Sequence, residues 1–338
     1  MKTERIIFSE ERNVFLDAYI QDVGGKFVFD ARPAIVVIPG GAYAYCSVRE
    51  AEPIAFEYLK AGYHVFVLNY TIKFKGKWPD PLNDYEQAME YILENSEKWH
   101  VLKDKIAVVG FSAGGHLAAS AATMANHKPA AAILGYPALR REVIDMCMDS
   151  LPSPIDHVDY HTAPCFLFGC RDDMLVPTEN ILDFEQALCK YGIQFESHVY
   201  SYGKHGFSSG EKWLNSEPLS ERAHNWLYDS IGWLAELFGT FTINGFTEPQ
   251  IKRSLNSNAE DHLSADCSMG YLFEHDTKEL LKPIYEGLEN AGKERNIPLE
   301  KMVSGFRVYT LRELMHELNL SEEQIEYFDS ELKKIRNQ

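Results

Sequence analysis

Short, near-continuous apolar runs recur along the first two-thirds of the chain and limit its fold more than any other feature. Ala34–Ile38 (AIVVI) and His64–Tyr70 (HVFVLNY) lack the polar–apolar alternation of a strand with one wet face. Such runs suit strands covered on both sides. Ile106–Val109, Ala131–Leu134 and Phe166–Phe168 continue the series, and Phe195–Tyr200 reads as a further, more polar strand. Segments of helical spacing lie between them. Glu50–Lys60 has Ile54, Ala55, Tyr58 and Leu59 on one side, and Asp84–Leu93, a helix from Ala113, Glu179–Lys190 and Ser220–Phe238 follow. Repeated alternation of strand and helix predicts an α/β architecture around a doubly wound, mostly parallel sheet. Phe15–Ile20 and Lys26–Phe29 are expected as an antiparallel pair at its edge.

The pattern changes after Phe238. Residues 249–338 are rich in Glu, Lys and Leu, without a convincing strand pattern. Leu311–Asn319 and Glu322–Ile335 read as helices, with Ser321 as the N-cap of the second. The expected organisation is a large domain over residues 1–240, a linker at Gly239–Gly245, and a small C-terminal helical module over 249–338. That module is expected either to brace the large domain or to join copies into a homo-oligomer.

Composition narrows the function classes. The net charge is -17 and Lys and Arg form no dense run, so no nucleic-acid partner is expected. No stretch approaches the roughly 20 apolar residues of a membrane span, and the N-terminal residues lack the marks of a signal peptide. The six cysteines are scattered without CxxC spacing and read as reduced thiols. A cytoplasmic protein without membrane association is the expectation.

One motif carries chemistry. Gly110-Phe111-Ser112-Ala113-Gly114 matches G-x-S-x-G, between the strand Ile106–Val109 and the helix from Ala113. A serine on so tight a turn leaves no room for flanking side chains, and the helix N-terminus favours developing negative charge. Pro39-Gly40-Gly41-Ala42 follows an earlier strand, where backbone N–H groups can meet an oxyanion. Gly41, Ala42 and Ala113 are the candidate oxyanion-hole donors.

A serine nucleophile needs a base and an acid to orient it, and in the fold expected here, with a G-x-S-x-G turn, they follow in the chain order Ser, Asp or Glu, His. Strand Phe166–Phe168 runs into Gly169-Cys170-Arg171-Asp172-Asp173, and both aspartates are candidates. Asp173 lies four residues before Pro177, a D-x-x-V-P spacing that favours it over Asp172. The base is His205, in Gly203-Lys204-His205-Gly206-Phe207 beyond the last strand. His116, four residues after Ser112, points along the same helix stripe into the packing and reads as structural. His161, His198 and His224 lack the strand-end and glycine context.

With these residues in view, the chain resembles the α/β-hydrolase superfamily, and within it the acetyl xylan esterase and feruloyl-esterase-like carboxylesterase group. VVIPGGAY (Val36–Tyr43), REAEPIA (Arg49–Ala55), PLNDYEQA (Pro81–Ala88), GFSAGGHLA (Gly110–Ala118), the D-x-x-V-P run and GKHGF (Gly203–Phe207) carry the resemblance in family order. It covers roughly residues 30–238. The resemblance implies a catalytic triad of Ser112, Asp173 and His205 and hydrolysis of esters with small acyl groups, with no metal or organic cofactor. The familiar H-G-G-G string reads Pro39-Gly40-Gly41-Ala42 here, which departs from a lipase. The short stretch between Tyr136 and Pro164 leaves no room for a large lid, so a small soluble ester such as an acetylated oligosaccharide is the expected substrate. A serine peptidase or thioesterase of the same fold, or a non-catalytic binding protein on this scaffold, are the alternatives.

Overall fold

The computed structural model describes residues 1–27, 29–243, 245–275, 277–293 and 296–337. They form two compact units, Met1–Leu188 with Ile193–Arg253, and Cys189–Gly192 with Ser254–Gln338.

The first unit is built on eight strands: β1 (Lys2–Ser9), β2 (Val14–Ile20), β3 (Arg32–Ile38), β4 (His64–Asn69), β5 (Val101–Phe111), β6 (Ala131–Gly135), β7 (Cys165–Cys170) and β8 (Phe195–Tyr200). Their order in the sheet is β1-β2-β4-β3-β5-β6-β7-β8. β1 and β2 pair antiparallel, as do β2 and β4, and every later pairing is parallel. β3, β6 and β7 are buried at every position. Their continuous apolar sequences reflect that double cover.

The cover comes from α1 (Glu52–Lys60), α2 (Asp80–Glu94), α3 (Ser96–Trp99), α4 (Ala113–Met124), α5 (Arg141–Ile144), α6 (Glu179–Tyr191) and α7 (Asn225–Phe238). On one face, Ile35, Val37, Val65, Val109 and Phe166 form a core with Ile54 and Tyr58 of α1 and Trp226, Trp233 and Leu234 of α7. Alternate strand residues point to the opposite face, where α4 packs on β3, β5 and β6, and α2 on α4 and β5.

Three expectations about this unit change. The antiparallel partner of Phe15–Ile20 is β1, not Lys26–Phe29. Lys26, Phe27 and Phe29 lie outside any strand, and Val28 falls outside the described residues. Phe27 and Phe29 instead flank the Arg32 guanidinium, at 5.4 and 4.5 Å from their ring centroids. Gly239–Gly245 is not a linker. β9 (Phe241–Thr242) pairs with β10 (Gly245–Phe246), and Phe241 packs on Phe29 at 4.8 Å, while Asn244 lies outside the described residues. The following residues stay with this unit, because Gln250 and Ile251 donate to the Glu236 carbonyl on α7. Finally, α7 starts at Asn225 rather than Ser220, after a series of turns.

The second unit holds α8 (Met269–Glu274), α9 (Lys282–Lys293), α10 (Leu299–Gly305), α11 (Leu311–Glu317) and α12 (Glu322–Leu332). Leu272, Leu281, Leu288, Leu314, Met315, Ile325 and Leu332 are buried in it. Thr310 with Glu313 and Ser321 with Gln324 form capping boxes at the starts of α11 and α12.

Candidate active site

The elbow is made by β5, α4 and the residue between them. Ser112 has φ 53° and ψ −115°, a left-handed conformation that costs energy in any residue with a Cβ. The surrounding backbone holds it there. Ser112 N–H donates to the Gly135 carbonyl at 2.9 Å, and the Ser112 carbonyl accepts from His116 and Ala138 N–H at 2.9 and 3.1 Å. The flanking glycines are steric necessities. A Cβ on Gly110 would lie 2.2 Å from the Gly114 carbonyl oxygen, and one on Gly114 would lie 2.2 Å from that of Ile38.

His205 reaches this turn from the loop beyond β8. Its Nε2 lies 2.8 Å from Ser112 Oγ and its Nδ1 lies 2.7 Å from Asp173 Oδ2. With a carboxylate on Nδ1, the ring proton belongs there, and Nε2 is left to accept from the serine hydroxyl. Asp173 Oδ1 accepts two further bonds, from Leu175 and Val176 N–H, both at 2.9 Å. Three donors leave this carboxylate no freedom to turn. The choice between the two aspartates is thus geometric: Asp173 meets the imidazole, and Asp172 Oδ1 accepts from Gly203 N–H at 2.7 Å. One aspartate orients the ring while its neighbour anchors the loop that carries the ring.

The Pro39–Tyr43 loop lies against the elbow, since a Cβ on Gly40 would stand 3.2 Å from Ser112 Cβ. Gly41, Ala42 and Tyr43 all have positive φ, at 130°, 52° and 54°. Among the described residues, the N–H groups of Gly41, Ala42 and Ala113 have no acceptor. Two of these N–H groups come from the loop and one from the first residue of α4.

A second carboxylate, which the sequence places at the start of a helix and within REAEPIA without a role, sits behind this loop. Glu50 ends a short 3-10 turn, Val48–Glu50, and is buried. Its Oε2 accepts from Gly40 N–H at 2.9 Å and its Oε1 from the Tyr136 hydroxyl at 2.6 Å. The Tyr136 oxygen accepts in turn from Ser208 N–H at 3.0 Å, and its ring packs edge-on against His205 at 5.0 Å. Burial raises the Glu50 pKa, opposed by the bonds from Tyr136 and Gly40. The chain Gly40–Glu50–Tyr136–Ser208 therefore links the loop beside Ser112 to the loop of His205. No spacing in the sequence signals it.

The rival histidines lie elsewhere. His116 is fully buried, with Nδ1 2.8 Å from the Tyr43 hydroxyl and Nε2 2.8 Å from the Pro152 carbonyl, and burial pushes its pKa down to about 4. His198 pairs with Glu196 along β8, and His161 sits on an exposed turn. His224 lines a cleft formed by residues 210–224. A recess of about 110 Å³ opens at His205, lined also by Arg49, Gly206, Leu214, Asn215 and Leu219. Among the described residues, no group of three or more His, Cys, Asp or Glu could hold a metal ion, and no helix is long and apolar enough to cross a membrane.

Comparison with known proteins bears on the family and the fold. The family model described as BD-FAE matches residues 16–136, which include the elbow and end before Asp173 and His205. The chain is similar to endo-1,4-beta-xylanase B of Butyrivibrio fibrisolvens, 31% identical over 207 residues, covering 52% of this chain and 33% of that protein. It is also similar to acetylxylan esterase of Xylanibacter ruminicola, 29% identical over 216 residues, covering 57% of this chain and 45% of that protein. It thus spans less than half the length of either relative. Among solved structures it is similar to MGS-M1, an alpha/beta hydrolase enzyme from a Medee basin deep-sea metagenome library. That likeness has 38% identity and a TM-score of 0.65, over 70% of this chain and 98% of the other. Near-complete coverage of that enzyme, together with the sheet order and the elbow, gives the family: the chain belongs to the α/β hydrolases.

Proposed function

We propose that the chain is a serine carboxylesterase that removes acetyl groups from saccharides. The observation that carries the reaction type is the line Asp173–His205–Ser112, with contacts of 2.7 and 2.8 Å. In this reading His205 Nε2 takes the proton of Ser112 as Oγ attacks the ester carbonyl. The carbonyl oxygen gains the negative charge and rests on N–H groups of Gly41, Ala42 and Ala113. The tetrahedral intermediate collapses, and the imidazolium gives its proton to the departing alcohol. Water, deprotonated by the same nitrogen, then attacks the acyl-serine and releases the acid. Asp173 holds the ring and stabilises its cation without taking the proton. Similarity to an acetylxylan esterase supports acetyl as the acyl group. Only the short α5 and a 3-10 turn, Pro154–His157, separate β6 from β7, which suits a soluble substrate better than a lipid.

The test is acetate release from acetylated xylo-oligosaccharides by the wild type and by Ser112→Ala, with fluorophosphonate labelling in parallel. The variant should lose the label and at least about 1,000-fold in kcat. A Ser112→Ala protein with undiminished turnover would sink the mechanism.

A further inference from the structure

We infer that the cleft formed by residues 210–224 is a subsite for the neutral saccharide chain bearing the ester, with Trp213 as its stacking platform. The inference rests on the deacetylase reading above and names where the alcohol part of that substrate lies. Trp213 is 72% exposed, whereas Trp99, Trp226 and Trp233 are buried and Trp78 is half-buried. An indole left in water on a monomer surface is an unspent apolar face. It stands on a cleft of about 640 Å³, within the range of about 300–1,000 Å³ typical of small-molecule sites.

Two features tie this cleft to the reaction. Asn215, Glu217 and Leu219 line both it and the recess at His205, so the two adjoin. The loop is also fastened to the catalytic side before any ligand arrives. Arg49 donates to the Leu214 carbonyl and Asn215 Oδ1, Asn215 Nδ2 donates to the Phe207 carbonyl, and Lys204 pairs with Glu217 at 3.3 Å. A preformed loop lowers the ordering cost of binding.

The chemistry of the lining selects the ligand class. Glu211, Lys212 and Glu221 have no side-chain partner among the described residues and can take up hydroxyl groups. Across the cleft and the recess, Glu211, Glu217 and Glu221 stand against Lys212, Lys204 and Arg49, so the lining carries no net charge to draw in an ion of either sign. An aromatic face ringed by hydroxyl-binding groups, with balanced charge, fits the C–H face of an uncharged sugar ring.

The experiment has two arms. Trp213→Ala and wild type are compared on an acetylated xylo-oligosaccharide and on ethyl acetate, whose alcohol is too small to reach the cleft. The ratio of kcat/KM between the two substrates should fall about tenfold, the loss of one stacking contact of aromatic size. An unchanged ratio overturns the subsite. The second arm titrates Ser112→Ala with unacetylated xylotetraose and reads intrinsic fluorescence, to which Trp213 contributes the exposed indole. A saturating change that disappears in Trp213→Phe/Ser112→Ala supports the subsite, and a flat titration overturns it. If the wild type hydrolyses ethyl acetate but no acetylated saccharide, the substrate reading fails by itself, and the fluorescence arm still decides the subsite.

Discussion

Glu50→Gln tests whether the buried carboxylate behind the Pro39–Tyr43 loop positions the reaction or only fills space. The substitution preserves volume and replaces one acceptor oxygen by an NH2 group. Gly40 N–H is fixed by the backbone, so the amide oxygen must face it. The NH2 group then meets the Tyr136 oxygen, which Ser208 N–H already approaches at 3.0 Å. The Tyr136 hydroxyl proton loses the acceptor it had at 2.6 Å. A hydrogen bond to a charged group is worth about 1.5–3 kcal/mol. Relief of a buried charge offsets part of this, because burial is the main cause raising the Glu50 pKa. The net loss is about 1–2 kcal/mol, or a few degrees in Tm. Glu50→Ala strands both Gly40 N–H and Tyr136 O–H and costs about 2–6 kcal/mol. A whole oxyanion donor is worth about 100- to 1,000-fold in kcat. Loosening the loop beneath two of them should cost about tenfold in the Gln variant and about 100-fold in the Ala variant. KM should stay nearly constant, because the donors meet charge that exists only in the transition state. The assay is kcat and KM on a small acetate ester, beside urea unfolding of the same samples. If Glu50→Ala, measured where it is folded, keeps kcat within about twofold of wild type, the positioning argument is refuted and the carboxylate is structural alone.

The adjacent aspartates should separate by function. Asp173→Asn should lose about 10,000-fold in kcat by turning the imidazole to the wrong tautomer. Asp172→Ala loses one backbone anchor and should cost less than about tenfold, with about 1 kcal/mol of stability. Equal kcat losses from steady-state rates would contradict the division of roles. Acid should weaken the fold through two buried histidines, His64 and His116, each pushed down from 6.5 to about 4, chiefly by burial. The unfolded chain binds these protons first, so stability is lost as pH falls from about 6.5 towards about 4. Each histidine contributes up to about 3 kcal/mol. The urea midpoint should drop between about pH 7 and about pH 4.5 and drop less in His116→Gln, and an identical drop in both proteins counts against this account. Gly114→Ala sets a methyl 2.2 Å from the Ile38 carbonyl oxygen and 2.4 Å from that of Pro39. It should cost about 3 kcal/mol or more, and an unchanged Tm would show that the end of β3 yields.

The central strands were readable because burial on both faces writes itself as an apolar run, as Ala34–Ile38 and Ala131–Leu134 illustrate. β1 left no such mark. It lies at the sheet edge and most of its residues are exposed or half-buried, so it carries no buried stripe. Phe27 and Phe29 misled for the opposite reason, since their apolar faces serve the Arg32 guanidinium and Phe241 rather than a sheet. In the second unit, α8 has six residues, too few for helical periodicity to register. Ser112 and His205 stood out through their glycines and strand ends. Spacing to Pro177 favoured Asp173 over Asp172, and the direction of each carboxylate then gives the two their different partners. The role of Glu50 was not legible because it lies in two bonds, to Gly40 N–H and to the Tyr136 hydroxyl, that no spacing announces.

The backbone that fixes Ser112 belongs to the middle of the sheet, whereas Trp213 and its neighbours hang from a rim loop. That separation has an engineering consequence. The element that sets how fast a bond breaks and the element that chooses whose bond it is share few atoms, so they can be varied independently. A library confined to residues 211–214 and 220–221 leaves Asn215, the Lys204–Glu217 pair and the Gly203–Leu219 bridge in place. On the subsite proposed above, such variants inherit an intact nucleophile and are expected to differ in the alcohols they accept. Selection on the rim can therefore proceed without repairing the centre at each step.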